Sequence, residues 1–464
     1  MLKKGYFLLG KTSEGLLYAS LSDLSTHMHV LGATGSGKTL FLTLLDFQTL
    51  WQGLPLIKAD MKFDLQNFSL VYSVSHFLKQ DFYFFNPYQG GLGFLSSLGS
   101  HSYNPLLLGN TETITSKIMK SAERQGSVVS FYEEVKENIV LSLVGAMLST
   151  GQRISFKDLW VSLLRGKRGD YPALSRLISL CRNEEYGLSL KELHSRLTHE
   201  NNMIRSQAEK EITGTRLFFQ RFSTGAVGEL VNSYESDIEL DRVLEKGGVV
   251  YFVLPVLLYE VVAKATAKML LADLRFLTGL MAGLGVKKDF VISIDEFENF
   301  VFAGIEDLFN KGRSAGAKLI IAHQSIKDID FAYNPELRSI IQSNTRIKVF
   351  LSQADYESAK WFSELVGTKD VSISMPLEIG NVGEVDQYKI PPKMLTSLKN
   401  FQAYFFMKGE AYRGHIFAVP SDFELGVDCP IPSFKPKINR EKGIRLFEFY
   451  TESNPLPEEV NVNV

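Results

Sequence analysis

Cysteine is nearly absent from this chain, which has 2 cysteines among its 464 residues. Cys181 and Cys429 are far apart and match neither a disulfide framework nor the closely spaced pairs of a zinc site. This scarcity excludes the small, disulfide-rich secreted class and fits a reducing, cytoplasmic setting. With 45% hydrophobic residues, the chain is long enough to bury one large core and a second, smaller one.

Long apolar runs are also missing. No stretch approaches the roughly 18 uninterrupted apolar residues of a membrane-spanning helix. The best candidate, Val253 to Val286, carries internal charges and predicts an amphipathic helix instead. The apolar run near the N-terminus is cut short by Gly10, Lys11 and Glu14, which favours a strand over a signal peptide. We therefore expect no transmembrane anchor of the chain's own.

Neither sign of charge dominates, because the sequence has 50 Lys and Arg residues and 52 Asp and Glu residues, which gives a net charge of −2. This balance excludes a protein that is basic over its whole surface and coats nucleic acid through bulk charge. It leaves room for a local basic channel.

The strongest motif present is the run Gly32-Ala33-Thr34-Gly35-Ser36-Gly37-Lys38-Thr39, a complete phosphate-binding loop. It follows a short apolar run and precedes an amphipathic segment predicted to be helical from Lys38 to Trp51. The glycines let backbone N–H groups turn toward a phosphate, Lys38 reaches the β and γ oxygens, and the Thr39 hydroxyl is a ligand for Mg²⁺. We predict that the loop and Leu40 bind ATP with Mg²⁺. The alternative is a glycine-rich turn that binds no nucleotide.

A second motif supplies the acidic residues that hydrolysis needs. The apolar run Phe290 to Ile294 predicts a strand that ends in Asp295 and Glu296. We predict that Asp295 holds Mg²⁺ and that Glu296 is the catalytic base. An edge strand that ends in a solvated acidic turn is the competing interpretation.

Two further residues are candidates for contacts with the γ-phosphate or with the attacking water. Gln324 lies two residues after the end of the predicted strand Leu319 to Ala322, where an amide can sense the γ-phosphate or orient the water. Arg313 lies at the predicted C-terminal end of the preceding helix, where it can reach the active site of a neighbouring subunit. For Arg313, helix capping is an equally good explanation.

Strand and helix patterns divide the chain into blocks. Strand and helix signals alternate over residues 1–108, only helices are predicted over residues 109–235, and the alternation resumes over residues 236–427. This order predicts an α/β nucleotide-binding domain with a mostly parallel central sheet and an inserted all-α domain. Residues 428–464 are rich in proline and predict an extended tail.

These features resemble the TraG/TraD-type coupling proteins of type IV secretion and conjugation, which are more distantly related to the FtsK and HerA motor ATPases. The resemblance covers residues from about 5 to 425 and is carried by short motifs spread along that span. They are His27 before the phosphate-binding loop, Ala59-Asp60-Met-Lys62, Tyr103-Asn104-Pro105-Leu106, Val250 to Pro255, Asp295-Glu296, Lys311-Gly-Arg313-x-Ala-Gly316, Gln324-Ser325, and Asn344-Thr-Arg-Ile347 followed by Asp355, Ala359 and Gly367. The last of these resembles the family's segment for recognition of relaxosome accessory proteins.

The resemblance implies a ring-forming, hexameric ATPase with a RecA-like P-loop domain and an all-α domain. Such a motor would deliver single-stranded DNA, a relaxase bound to DNA, or protein effectors to the components of a type IV secretion channel. Many family members carry an N-terminal membrane anchor, and we expect none in this sequence. We therefore expect a cytoplasmic protein that is peripheral at the inner face of the bacterial membrane and held there by partners.

Two other functions are compatible with the same residues. One is another translocase of the superfamily, either an FtsK/HerA-like DNA pump or the ATPase that energises a secretion channel. The other is a substrate receptor that binds ATP as a structural ligand without hydrolysing it. Lys38, Asp295 and Glu296 argue against the receptor, because each of them serves hydrolysis.

Overall fold

A computed structural model describes residues 3–88, 94–122, 131–332, 334–373, 383–419 and 431–454. The chain forms two compact units. The first, here the sheet unit, comprises Met1–Phe82, Asp241–Val253 and Leu277–Pro430. The second, here the helical unit, comprises Tyr83–Leu240, Leu254–Phe276 and Ile431–Val464.

The strands are numbered in chain order. They are β1 (Tyr6–Thr12), β2 (Gly15–Ser20), β3 (Met28–Leu31), β4 (Leu56–Asp60), β5 (Phe82–Phe85), β6 (Val249–Val253), β7 (Phe290–Ile294), β8 (Ala317–His323), β9 (Ile347–Leu351), β10 (Thr368–Ile373), β11 (Gly383–Tyr388), β12 (Gln402–Met407) and β13 (Glu410–His415).

The helices are numbered in the same way. They are α1 (Leu21–Leu24), α2 (Lys38–Trp51), α3 (Leu65–Phe77), α4 (Phe94–Ser97), α5 (Thr111–Ala122), α6 (Phe131–Ser149), α7 (Phe156–Ser162), α8 (Pro172–Leu180), α9 (Glu184–Leu197), α10 (Asn202–Ser223), α11 (Gly225–Val231), α12 (Leu240–Lys246), α13 (Val256–Gly283), α14 (Glu306–Ala315), α15 (Ile326–Ala332), α16 (Pro335–Asn344), α17 (Tyr356–Val366), α18 (Pro392–Thr396) and α19 (Leu446–Ser453).

The sheet unit is built on one large sheet, in which its strands run in the order β2-β1-β13-β12-β9-β3-β8-β7-β4-β6. Strands β9, β3, β8, β7, β4 and β6 are parallel to one another, whereas β12 pairs antiparallel with β9 and the strands β12, β13, β1 and β2 pair antiparallel among themselves. Every residue of the six parallel strands is buried, as expected for strands covered on both faces by helices. The predicted α/β class with a mostly parallel sheet is confirmed.

The order of the strands determines where the functional motifs meet. Strand β3, which precedes the phosphate-binding loop, pairs with β8 on one side and β9 on the other. Strand β7, which precedes the acidic pair, lies between β8 and β4. Because these strands are parallel, their carboxyl ends lie along one edge of the sheet.

The helical unit contains the all-α domain that the sequence predicts. Helix α10 packs against α7, α9 and α6, and α5 packs against α6. A buried ion pair joins Lys117 of α5 to Asp273 of α13, and the Tyr103 hydroxyl donates to the same carboxylate. Among the described residues, no helix is long and apolar enough to span a bilayer.

The C-terminal segment requires a correction. Residues 446–453 form helix α19, which packs against α7 and α8, so the prediction of an extended tail is wrong there. The prolines at 430, 432, 436, 455 and 457 flank this helix and do not interrupt it. Its first N–H group, from Leu446, donates to the buried carboxylate of Asp158 at 2.9 Å. A contact from a distant helix therefore stabilises α19, and local composition does not reveal such a contact.

The structure describes one of the two cysteines. Cys181 is a half-buried free thiol at the C-terminal end of α8. Cys429 lies outside the described residues.

Candidate nucleotide-binding and hydrolysis site

The phosphate-binding loop joins the end of β3 to the start of α2. Gly35 and Gly37 have φ angles of 78° and 107°, which side chains disfavour. A Cβ at Gly32 would lie 2.5 Å from the Ser36 hydroxyl, so only glycine fits there. The Ser36 hydroxyl is itself buried and has no hydrogen-bond partner. The loop has the close backbone approach and the helix N-terminus of an anion site.

Lys38 is the cation of this loop. Its ammonium group donates to the carbonyl oxygens of Gly32 and Ala33, the second at 3.2 Å. Burial lowers the pKa of Lys38, while the negative charge of Asp295 opposes that shift. The two carbonyl oxygens therefore hold the ammonium group at the centre of the loop.

The two predicted metal ligands face each other. The Thr39 hydroxyl lies 3.4 Å from the Asp295 carboxylate, across the gap between α2 and the end of β7. Burial raises the pKa of Asp295, and the positive charges of Lys58 and Lys38 oppose the shift. A hydroxyl and a carboxylate are hard oxygen donors of the kind that Mg²⁺ takes, so this pair fits the ion.

Glu296 follows Asp295 in a left-handed backbone conformation, with φ at 52°. Its N–H group donates to the Asp295 carboxylate at 2.9 Å. Its side chain is buried and forms an ion pair with Lys62, which lies just beyond the end of β4. Glu296 is thus fixed beside the predicted metal ligand, as a catalytic base requires.

Gln324 is brought to the phosphate-binding loop. It directly follows β8, and its side-chain oxygen accepts a hydrogen bond from the Thr34 hydroxyl at 3.3 Å. The backbone N–H groups of Gln324 and Ser325 donate to Asp328 at 3.1 and 2.7 Å, which fixes the turn. Gln324 therefore lies beside the phosphate-binding loop, and its role at the γ-phosphate stays a prediction.

Arg313 stands apart from the other candidates. It lies near the end of α14, before the start of β8, whereas Gln324 follows the end of that strand. Its charge lowers the pKa of His27, which precedes β3, although burial of the imidazole is the larger cause. Arg313 therefore lies toward the edge of the sheet opposite the phosphate-binding loop. Its guanidinium is exposed and has no hydrogen bond or ion pair within the described residues.

Sequence reasoning missed a buried ion pair beneath the site. Lys58 in the middle of β4 contacts Asp46 of α2 at 2.9 Å, and its ammonium also donates to Ser293 of β7 at 3.2 Å. Burial acts to lower the pKa of Lys58, but Asp46 and Asp295 outweigh it and raise the pKa. The pair ties α2 to both strands that carry acidic residues. The sequence indication of this pair was a lysine and an aspartate, each within an otherwise apolar segment.

A histidine pair was missed as well. His29 of β3 and His323 of β8 are buried, and their Nε2 atoms lie 2.5 Å apart. The His323 Nδ1 atom lies 2.7 Å from the Ser325 carbonyl oxygen, so it carries the proton and His323 Nε2 accepts from His29. The bond joins the strand before the phosphate-binding loop to the strand before Gln324.

Glu298 is a third carboxyl group near the site. It lies in the single 3₁₀ turn Phe297–Phe300 after the acidic pair. Burial, followed by the charges of Asp328, Glu296 and Asp295, raises the pKa of Glu298 to about 7. Its Oε2 atom is buried and accepts no hydrogen bond. Glu298 is visible in the sequence as the second glutamate of the run Asp-Glu-Phe-Glu. Its burial, which raises its pKa, depends on the fold and could not be predicted from that run.

The fold and this site together define a RecA-like P-loop protein with an all-α domain. Residues 289–386, which include Asp295, Glu296, Arg313 and Gln324, match the family model described as the TraM recognition site of TraD and TraG. The resemblance to TraG/TraD-type coupling proteins is therefore confirmed. No curated protein sequence matches the chain.

Several solved structures share the fold. The unbound bacterial conjugative coupling protein TrwBdeltaN70 aligns with a TM-score of 0.62 and 16% identity over 92% of both chains. The plasmid coupling protein TrwB in complex with ADP and Mg²⁺ aligns at 0.61 and 16% over 89% of both chains. VirB4 of Thermoanaerobacter pseudethanolicus aligns at 0.55 and 16% over 91% of this chain and 98% of that chain. At such identities the likeness establishes the fold.

Proposed function

We propose that this protein is an ATP-hydrolysing coupling protein that recruits DNA, relaxase bound to DNA, or protein substrates and drives them into a type IV secretion or conjugation channel. The observation that carries the proposal is the meeting of Thr39 with Asp295, and of Glu296 with Lys62, at the edge of the sheet where the phosphate-binding loop opens. The match of residues 289–386 to the TraG/TraD family supports the coupling role over that of an unrelated P-loop ATPase.

Each residue has one role in this proposal. The backbone from Gly32 to Leu40 surrounds the phosphates of ATP, with Lys38 at the β and γ oxygens. Thr39 and Asp295 hold Mg²⁺, which when bound neutralises charge on the phosphate oxygens. Glu296 takes a proton from the attacking water, and Gln324 orients that water.

Arg313 acts between subunits in the proposed hexamer. Its exposed guanidinium near the opposite edge of the sheet cannot serve the site of its own chain, but it is available to a neighbour. A guanidinium donated in trans would stabilise the charge that spreads over the γ-phosphate in the transition state.

The partners and the location belong to the same proposal. We propose single-stranded DNA or relaxosome proteins as cargo, components of the type IV secretion channel as partners, and a cytoplasmic position at the inner face of the membrane. We also propose that residues 1–108 and 236–427 form the nucleotide-binding domain and that residues 109–235 form the inserted domain. The likeness to TrwB, a conjugative coupling protein whose solved structures include a complex with ADP and Mg²⁺, supports this assignment.

The test is phosphate release from ATP, measured with and without single-stranded and double-stranded DNA across a range of protein concentrations. We expect hydrolysis that rises with protein concentration and is stimulated by single-stranded DNA. Stimulation by duplex DNA alone would favour an FtsK/HerA-like pump. Tight ATP binding without phosphate release would favour the receptor and refute the enzyme.

A further inference from the structure

The turn after β4 presents Lys62 in a fixed position. The buried carboxylate of Asp60 accepts hydrogen bonds from the N–H groups of Lys62, Phe63 and Asp64 at 2.8, 3.0 and 2.8 Å. The same carboxylate accepts from the Tyr251 hydroxyl of β6 at 3.0 Å. Phe63 has a φ angle of 66°, a strained conformation for a residue with a side chain, and these bonds hold it.

Glu296 is fixed from the other side. Besides the bond from its own N–H to Asp295, its carbonyl oxygen accepts from the backbone and side-chain N–H groups of Asn299 at 3.0 and 3.2 Å. Strands β4 and β7 are parallel neighbours, and the Asp295 N–H group donates to the Ala59 carbonyl at 3.3 Å. The two rigid turns therefore face each other at one edge of the sheet.

We infer that Lys62 is the positioning residue for the catalytic base Glu296, an inference that rests on the proposed hydrolysis of ATP. Lys62 binds the Oε1 atom of Glu296, and within the described residues no hydrogen bond reaches the Oε2 atom. One oxygen of the carboxylate is held, and the other is left for the attacking water.

Charge explains why the base needs this lysine. Glu296 directly follows the carboxylate of Asp295, and the triphosphate of the substrate would bring more negative charge to the site. A cation that hydrogen-bonds to a carboxylate holds it in one position, because the bond is charge-assisted. Burial acts to lower the pKa of Lys62, but the hydrogen bond and the charge of Glu296 outweigh it and raise the pKa, so Lys62 stays charged at neutral pH.

Two simpler roles make different predictions. An ordinary surface ion pair contributes little to stability and nothing to the rate. The Lys62 side chain is 56% exposed, so that role is a serious competitor. A lysine that instead touches the phosphates would change nucleotide affinity, because it would bind the substrate in the ground state.

The experiment compares Lys62→Met, which keeps the length and removes the charge, with Lys62→Arg. A matched control is Lys408→Met, because Lys408 is 65% exposed and pairs with the 19% exposed Asp23 at 3.1 Å in the same unit. We measure steady-state phosphate release, the Kd of a non-hydrolysable ATP analogue, and thermal unfolding. We expect Lys62→Met to lower kcat by about tenfold to a hundredfold with the analogue Kd and Tm unchanged, Lys62→Arg to recover part of the rate, and Lys408→Met to match the wild type.

A double variant tests whether Lys62 acts through Glu296. In the Glu296→Gln background, Lys62→Met should change the residual rate by less than about twofold, because the group it positions is already gone. An equal loss of kcat in both backgrounds, a loss of analogue binding, or a wild-type rate for Lys62→Met would overturn the inference. A wild type that binds the analogue but releases no phosphate would instead reject the proposed function.

Discussion

Lys38 and Glu296 act on different parts of the same reaction, so their loss should leave different defects. Lys38 supplies positive charge to the phosphates both in the bound substrate and in the transition state. Glu296 pairs with Lys62 and donates its N–H group to Asp295, and within the described residues no hydrogen bond joins it to the loop carbonyls that Lys38 binds. Its work begins only when the water attacks.

The first prediction follows from this division. Lys38→Ala should weaken ATP binding and lower hydrolysis by at least about a hundredfold, whereas Glu296→Gln should bind ATP normally and hydrolyse it about 10²–10⁴-fold more slowly. Nucleotide binding and single-turnover hydrolysis measured on both variants check this. An equal loss of affinity in the two variants would contradict the assigned roles.

Glu298 provides a pH-dependent test at the same scale. Its pKa is about 7 in the folded protein against an ordinary value of 4.5, because burial and nearby carboxylates disfavour its charge. Between these values the folded protein binds more protons than the unfolded chain, so this group's contribution to stability is present below pH 4.5 and is lost as the pH rises through 7.

The second prediction is that Glu298→Gln removes this loss. Relative to the wild type, the free energy of unfolding of the variant should rise by up to about 3 kcal/mol between pH 5 and pH 8. Urea unfolding without nucleotide or Mg²⁺ at several pH values measures it. Glu357→Gln, which changes an exposed glutamate of α17, is the control and should show no comparable trend. Parallel pH profiles for Glu298→Gln and the wild type would refute the prediction.

At the scale of elements, the sequence predicts best where local signals agree. Helix α2 begins and ends at the predicted residues because glycine ends the loop at Gly37 and apolar residues recur along one face to Trp51. Strand β7 also has its predicted bounds, since the apolar run Phe290 to Ile294 ends at the two carboxylates. The prediction fails at α19, where proline-rich flanks hide a helix whose N-terminus is bound by a residue far away in the chain.

Asp158 is that residue, and it joins three elements of the helical unit. Its carboxylate accepts from the backbone and hydroxyl of Ser155 at 3.0 and 2.7 Å, from the Tyr234 hydroxyl at 2.9 Å, and from the Leu446 N–H at 2.9 Å. It is fully buried. Removing it would leave several buried donors without an acceptor, at roughly 1–3 kcal/mol each.

The third prediction concerns the C-terminal segment. Asp158→Ala should lower the free energy of unfolding by several kcal/mol and expose residues 431–454 to limited proteolysis, because α19 loses its N-terminal acceptor. Urea unfolding and mass spectrometry of the proteolytic fragments measure the two effects. Glu452→Ala, an exposed change in the same helix, should behave like the wild type. Cleavage elsewhere with residues 431–454 intact would contradict this account of the anchor.

At the scale of the whole molecule, the sequence predicts the parts of the site but not how they meet. The motifs alone identify four candidate site residues, Lys38, Thr39, Asp295 and Glu296, and need no knowledge of the fold. The contact of Lys62 with Glu296 exists only because β4 pairs with β7, and the placement of Gln324 only because β8 pairs with β3. Such pairings join residues hundreds of positions apart, where no local preference acts. The edge on which Arg313 lies follows from the same strand order.

The last prediction concerns Arg313. Because it lies toward the edge of the sheet opposite the phosphate-binding loop, it can complete a site only in a neighbouring subunit. Arg313→Ala should bind ATP nearly normally and hydrolyse it poorly, and wild-type activity should rise with protein concentration as subunits assemble. In a mixture of Arg313→Ala with inactive Glu296→Gln, some interfaces pair an intact Arg313 from one variant with an intact Glu296 from the other. The mixture should therefore exceed the activity of either variant alone. If subunits exchange and the mixture remains as inactive as its parts, Arg313 is not donated in trans, and its role is that of a positive charge in the last turn of α14, opposite in sign to the helix dipole there.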